Sequence, residues 1–313
     1  MRVINDETRD SCFPHRGAAV AVNSSMSVEE QLAAAGLDWE VQLREQRYTD
    51  QHGQDRLSPF ALAVRSTDDK AIDVYKTRKP WQNHYIVENF NEFCIKNDLQ
   101  ITHLGFLPNS WTLFAVAPLS GFLTPAQAVD DLTKGYLLLR DSHLHGKGML
   151  TDVFADRLIC TNGMVVDYHR AERMAHVGSF NFKNVTTLLE KTCTNYYTQM
   201  DKQYKLADVP LTYEEALALL IKTYGIPGIS LEDQPKVVQA CIRLFDQDAK
   251  GGHFLSAYKT AYGLLQSVSE FYNHLGNNRG GSVGRFASLL DNTNGRGAQI
   301  QKIERQLVSV YVG

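Results

Sequence analysis

Residues 99–119 read LQITHLGFLPNSWTLFAVAPL. Leu99–Leu107 and Trp111–Leu119 alternate or run apolar on either side of Pro108-Asn109-Ser110. Proline pre-sets a turn dihedral, and Asn and Ser satisfy backbone groups locally, so the stretch predicts a β-hairpin. Working outward, Gly135–Arg140 (GYLLLR) and Gly148–Cys160 (GMLTDVFADRLIC) predict two more strands around the loop Asp141–Lys147. On the N-terminal side, Trp39, Val41 and Leu43 alternate with polar residues. Phe60–Arg65 and Ala71–Lys76 flank the turn tetrad Ser66-Thr67-Asp68-Asp69 as a second hairpin. Between the hairpins, His84–Lys96 repeats Tyr85, Ile86, Phe90, Phe93 and Cys94 at helical spacing. Antiparallel strands following one another with a packed helix predict an α+β fold rather than a parallel βαβ one.

The pattern changes after about Phe180. Val185, Leu188, Leu189, Thr192 and Cys193 have the helical period, and Thr212 with Glu215 forms a capping box before an apolar run that Gly225 and Pro227 end. Helices are also predicted over Glu232–Asp246, Ser256–Leu275 and Ala298–Val310, with Gly251-Gly252 and the glycine-rich stretch Gly276–Gly284 as loops. Tyr258, Tyr262, Leu265 and Val268 are expected in the core. The division is a flexible arm over 1–25, an antiparallel sheet domain over 26–207 that opens with the capped helix at Ser27, and a mainly helical C-terminal domain over 208–313.

Of the 313 residues, 43% are hydrophobic and 21% charged, which excludes a disordered, collagen-like or coiled-coil chain. A net charge of -3 leaves any nucleic-acid contact to a local basic surface. Five cysteines without a C-x-x-C pair argue against a disulfide framework and point to a reducing, cytoplasmic setting. There is neither a membrane-length apolar run nor an apolar N-terminal signal, so no membrane partner is expected. The absence of G-x-x-x-x-G-K-[ST], G-x-G-x-x-G, G-x-S-x-G and H-E-x-x-H leaves no cofactor predicted and makes an ATPase, a Rossmann enzyme or a metalloprotease of the familiar kind a poor match.

Two basic clusters stand out. Lys76, Arg78, Lys79, Trp81 and His84 interleave cations with aromatic groups, a mixture suited to single-stranded nucleic acid because bases stack on rings while cations neutralise phosphate. The same mixture also describes a strand end capped by a buried Trp. Arg279, Arg285, Arg296, Lys302 and Arg305 lie among glycines that allow close approach to a phosphate backbone, against only Asp291 and Glu304 from Gly276 onward. A solvated loop followed by an amphipathic helix is the plainer account. His143 and His145, two apart beside Asp141, would point to one side of an extended chain and supply part of a metal site, or belong to a hydrogen-bonded loop. Glu270 and His274 are four apart on a helix and form either an acid–base couple or an intrahelical contact.

Three stretches resemble one family: WQNHYIVENFNEFCI (81–95), LLRDSHLHGKGMLTDVFADRLICTNGMVV (138–166) and TAYGLLQSVSEFYNHLGNNRGGSVGR (260–285). They are similar to the phage/plasmid-like protein family called domain of unknown function 932, over roughly residues 38–310. Two departures are Cys160-Thr161-Asn162-Gly163, where the family often has Cys-x-Asn-Thr, and Leu144-His145-Gly146, where it often has Asp-Gly. The resemblance implies carriage on mobile elements near replication and recombination genes, with no established activity. Within its second stretch, Arg157 is the expected ligand contact, Asn162-Gly163 reads as a turn dipeptide and Cys160 as a small core residue. The order of hairpin, helix, β-meander and long helix also resembles single-strand annealing proteins of the RecT and Redβ type.

The resulting expectation is a DNA-metabolism protein that binds single-stranded DNA as a homo-oligomer, with strand annealing or recombination as one use of that binding, through Lys76, Arg78, Lys79, Trp81 and Arg157 helped by Arg279, Arg285, Arg296 and Lys302. One alternative is a metal-dependent enzyme centred on His143, His145 and Glu270. Another is an accessory factor that engages a host protein through residues 1–25.

Overall fold

The computed structural model describes residues 1–4, 17–76, 78–128, 131–157, 162–166, 173–175, 182–250, 252–276, 281–291 and 294–313. The chain opens with β1 (Arg2–Ile4), β2 (Ala19–Ala21), α1 (Val28–Ala34), β3 (Val41–Thr49), β4 (Asp55–Arg65), β5 (Ala71–Tyr75) and α2 (Asn83–Lys96). Next come β6 (His103–Leu107), β7 (Thr112–Pro118), β8 (Phe122–Thr124), β9 (Thr133–Ser142), β10 (Gly148–Arg157), β11 (Asn162–Val166) and β12 (Arg173–Ala175). Helices follow: α3 (Phe182–Lys205), α4 (Tyr213–Tyr224), α5 (Lys236–Arg243), α6 (Ala261–Glu270), α7 (Gly281–Leu289) and α8 (Arg296–Tyr311). Antiparallel sheets in the first half and helices in the second make this an α+β fold.

The main sheet runs β2-β6-β7-β9-β10, with β11 and β12 pairing opposite ends of β10 and β8 joining β1 to the start of β9. Successive strand residues point to opposite faces. Phe114, paired with Arg140, shares a face with Asp152 and Phe154. That face meets α7, where the Phe286 ring lies 5.6 Å from Phe114 and 6.3 Å from Phe154. Thr151, Gly135 and Arg157 occupy the other face. There Thr151 hydrogen-bonds Thr192 of α3, and a side-chain carbon at Gly135 would sit 2.8 Å from the Tyr196 ring. With both faces covered, the central strands read as continuous apolar runs rather than alternating ones.

A separate three-stranded sheet, β3-β4-β5, stands apart from the main one. Its inner face carries Ala63 and Tyr75, both buried, and the Tyr75 hydroxyl donates to the His143 carbonyl of the main sheet's β9–β10 connection. Its outer face is exposed at Arg44, Tyr48, Phe60 and Val74, whereas Val64 on the same face is buried.

Several expectations change. Residues 17–25, assigned to a loose arm, include β2, paired to β6 and flanked by buried Ala18 and Val22. Residues 5–16 lie outside the described residues. Asn162 and Gly163 do not form a turn: their backbone opens β11, opposite Arg157 and Asp156. The helix expected from Ser256 starts at Ala261, because Thr260 accepts from Gly263 N as its N-cap. Tyr258 therefore sits in the preceding turn and is exposed, whereas Tyr262, Leu265 and Val268 are core. Gly281–Gly284, expected as loop, begin α7, where Phe286 and Leu289 gain a buried face. The buried apolar side chains on both sides of residue 207 form one cluster.

Candidate nucleic-acid interface

Three residues proposed as DNA contacts are inside the protein. Arg78 is buried and donates to the carbonyls of Ser142, Leu144 and Lys147, with its guanidinium 5.1 Å from the Tyr75 ring. It fastens the 142–147 loop to the smaller sheet. Trp81 is 5% exposed, which answers the choice between stacking platform and buried strand cap in favour of the cap. Arg157, fully buried, presents Nε and Nη2 to the two oxygens of Asp131, and Asp131 Oδ2 also accepts from Ser256 Oγ at 2.6 Å. The rings of Phe254 and Tyr262 lie 5.7 Å from its guanidinium. A cavity of about 10 Å³ beside it holds no more than a water. A guanidinium enclosed in this way ties β10 to the 250–256 segment and α6, and no phosphate reaches it.

The C-terminal cations divide. Arg285 Nη1 donates to the Asn273 carbonyl at 2.9 Å and Arg296 Nη1 to the Tyr272 carbonyl at 2.7 Å, so both hold the π-helical turn Phe271–Leu275 that extends α6. Cations belong at such carbonyl-rich helix ends. Burial, and then the nearby Arg285 charge, lower the Arg296 pKa. Lys302 is exposed, with Nζ 5.8 Å from the Tyr224 ring. Arg279 lies outside the described residues.

The histidine loop does not gather a metal site. His143 is fully buried, its Nε2 2.9 Å from Asn83 Oδ1 and its ring 5.3 Å from Trp39, while His145 is exposed and its backbone N–H donates to Asp73. Glu270 accepts from Lys250 N at 2.8 Å. Among the described residues no three His, Cys, Asp or Glu side chains are placed to hold a metal ion. Cys160, His169 and His176 lie outside them. His84 sits 3.8 Å from Glu29 and 3.6 Å from Glu88, at a cleft of about 330 Å³ whose rim carries Glu29, Asp38 and Glu40. That rim repels phosphate, which separates His84 from the lysines.

What remains of the basic–aromatic cluster faces outward on the three-stranded sheet. Arg44 pairs with Leu62, which pairs with Val74, and Phe60 and Lys76 follow two residues along on the same side. Tyr48 pairs with Arg56 further out on that face. Phe60 is 42% and Tyr48 53% exposed, and Lys76 Nζ lies 5.9 Å from the Phe60 ring. Lys79 is exposed nearby in sequence. Arg44 and Arg56 pair with Asp69 and Asp50 at 3.0 Å in solvent-exposed contacts. Sequence reading reached Lys76 and Lys79 but missed Arg44, Tyr48, Arg56 and Phe60. The period-2 spacing of Arg44, Gln46 and Tyr48 was the available signal.

Fold and surface together define a class: an α+β protein with a sealed polar interior and one small sheet that turns cations and aromatic rings to solvent. The family model described as Domain of unknown function (DUF932) matches residues 73–293, the greater part of the chain, and the protein belongs to that family. Searches of curated proteins and of solved structures gave no match. No helix among the described residues is long and apolar enough to cross a membrane.

Proposed function

We propose that the protein binds single-stranded nucleic acid, single-stranded DNA in the first instance, on the outer face of the β3-β4-β5 sheet. The observation that carries this reading is the placement of exposed Phe60 and Tyr48 among Arg44, Arg56 and Lys76, with exposed Lys79 three residues further along the chain. A ring that faces solvent at a cation's side offers a base a stacking partner and its phosphate a counter-charge at once. The ion pairs of Arg44 and Arg56 do not oppose this, because exposed pairs contribute about 0–1 kcal/mol and exchange readily for phosphate. Strand annealing is the use that suits such a surface in a mobile-element setting.

The test is a titration of fluorescent single-stranded and duplex oligonucleotides at about 50 and 200 mM salt. Binding should favour the single strand and weaken steeply with salt. Each cation that releases a counterion contributes a slope of about 0.7 in log K against log salt for single strands, so Lys76→Gln should flatten the slope by about that amount. Phe60→Ala should weaken binding by about 1–3 kcal/mol at an unchanged slope. No binding of either form at low salt, or binding indifferent to both substitutions, would remove the proposal.

A further inference from the structure

β3 is an edge strand. Among the described residues β4 is the one strand it pairs with; at its first residue the Gln82 side chain accepts from Val41 N at 2.9 Å and donates to the Val41 carbonyl at 3.1 Å, and from Leu43 to Thr49 every side chain except half-buried Gln46 is exposed. Natural edges are blunted by shortness, proline, bulges or charged side chains, and of these β3 has only the charges, Arg44, Glu45 and Arg47, which are of both signs. Here the edge runs nine residues without proline, and the register shift falls on β4, where Ser58-Pro59-Phe60 stand against the single residue Gln46. The outer edge of β3 is left regular. From Leu43 onward its outward ladder groups are therefore open to a further antiparallel strand.

The charges on that edge favour one register. In a two-fold antiparallel pair, one residue faces its own copy and the others pair symmetrically about it. Centring on Arg44, Glu45 or Arg47 sets like charges directly opposite, which is destabilising. Centring on Gln46 instead places Glu45 opposite the partner's Arg47 and Arg44 opposite the partner's Tyr48, each twice. Glu45 has only Ala61 opposite it within its own hairpin and makes no ion pair among the described residues. Arg44 and Arg47 spend their charge on exposed pairs with Asp69 and Asp55 at 3.0 Å, which cost little to share.

From this we infer that β3 is the site at which a second copy of this chain adds, antiparallel and about a two-fold axis through Gln46, making one continuous sheet from two three-stranded ones. The inference stands independently of nucleic-acid binding. It extends that reading by doubling the outer face, with Phe60 and Lys76 repeated on either side of the axis.

Sedimentation velocity of the full chain without oligonucleotide, over about 1 to 100 μM, should show a concentration-dependent dimer. Glu45→Arg and Arg47→Glu should each weaken it roughly tenfold or more, since two symmetry-related pairs change sign together. The double variant E45R/R47E should restore it. Gln46→Cys should oxidise to a covalent dimer, because directly opposed strand residues have the Cα spacing a disulfide needs. Leu43→Cys, facing Thr49, should not. A monomer throughout, a dimer indifferent to the charge reversals, or cross-linking at position 43 rather than 46 would overturn the inference. Loss of oligonucleotide binding with an intact dimer would count only against the function proposed above.

Discussion

At Arg157 the cost of removing a guanidinium from water is offset because both oxygens of Asp131 receive its donors and Ser256 Oγ satisfies one of those oxygens again. A buried pair of this kind is marginal as a pair and expensive when broken, since the surviving partner becomes an uncompensated charge. Asp131→Asn should therefore lower stability by about 3–5 kcal/mol in urea unfolding, whereas Arg157→Met with Asp131→Leu should recover much of the loss. Equal damage from the single and double changes would show that lost packing sets the cost instead. The sequence marks Arg157 as a special residue without revealing that it is enclosed. Its partner lies 26 positions away, and the enclosing rings of Phe254 and Tyr262 come from the far half of the chain. Trp81 and Arg78 are ambiguous for the same reason: a cation beside a ring looks alike in sequence whether it faces water or, as Arg78 does, the 142–147 loop.

Elements were legible where their signals are local. Thr212 accepts from Glu215 N while the Glu215 carboxylate accepts from Thr212 N at 2.8 Å, so α4 starts where the four-residue box predicts. That contact lowers the Glu215 pKa. Removing the hydroxyl in Thr212→Ala should cost about 1 kcal/mol, read as a lower urea midpoint at an unchanged m-value, and Thr212→Ser should cost less. Elements that depend on distant burial were not legible. α7 starts in a glycine-rich stretch that reads as loop, and its helix is secured by Phe286 packing between Phe114 and Phe154. The outer halves of β3 and β4 carry so many polar residues that apolar alternation disappears. Their exposure explains both that omission and their value as a binding surface.

For the whole molecule, the decisive fact is that one cluster of buried side chains extends from Ala18 to Leu307 and takes in groups whose charged forms it excludes. Burial, and secondarily the neighbouring Cys193, push the Cys94 thiol up to about 12, and burial pushes Cys193 to about 11 and the Tyr75 hydroxyl to about 12. In the unfolded chain a thiol ionises near about 8.5 and a tyrosine near about 10. The folded values are raised, so this contribution to stability is complete below the unfolded pKa and is lost as pH rises toward the folded one. Between about pH 9 and 11 the unfolded chain releases protons that the folded chain keeps. Stability should then fall by about 1.4 kcal/mol per pH unit for each such thiol. Urea midpoints measured under reductant from about pH 7 to 10.5 should be level at first and then decline, and Cys94→Ala should be less stable at neutral pH yet decline by one proton less. Because the thiols and hydroxyl share one core, the decline should keep a single cooperative transition followed identically by fluorescence and circular dichroism. A flat profile to pH 10.5, or a variant with the wild-type slope, would mean that water reaches Cys94 in the folded protein.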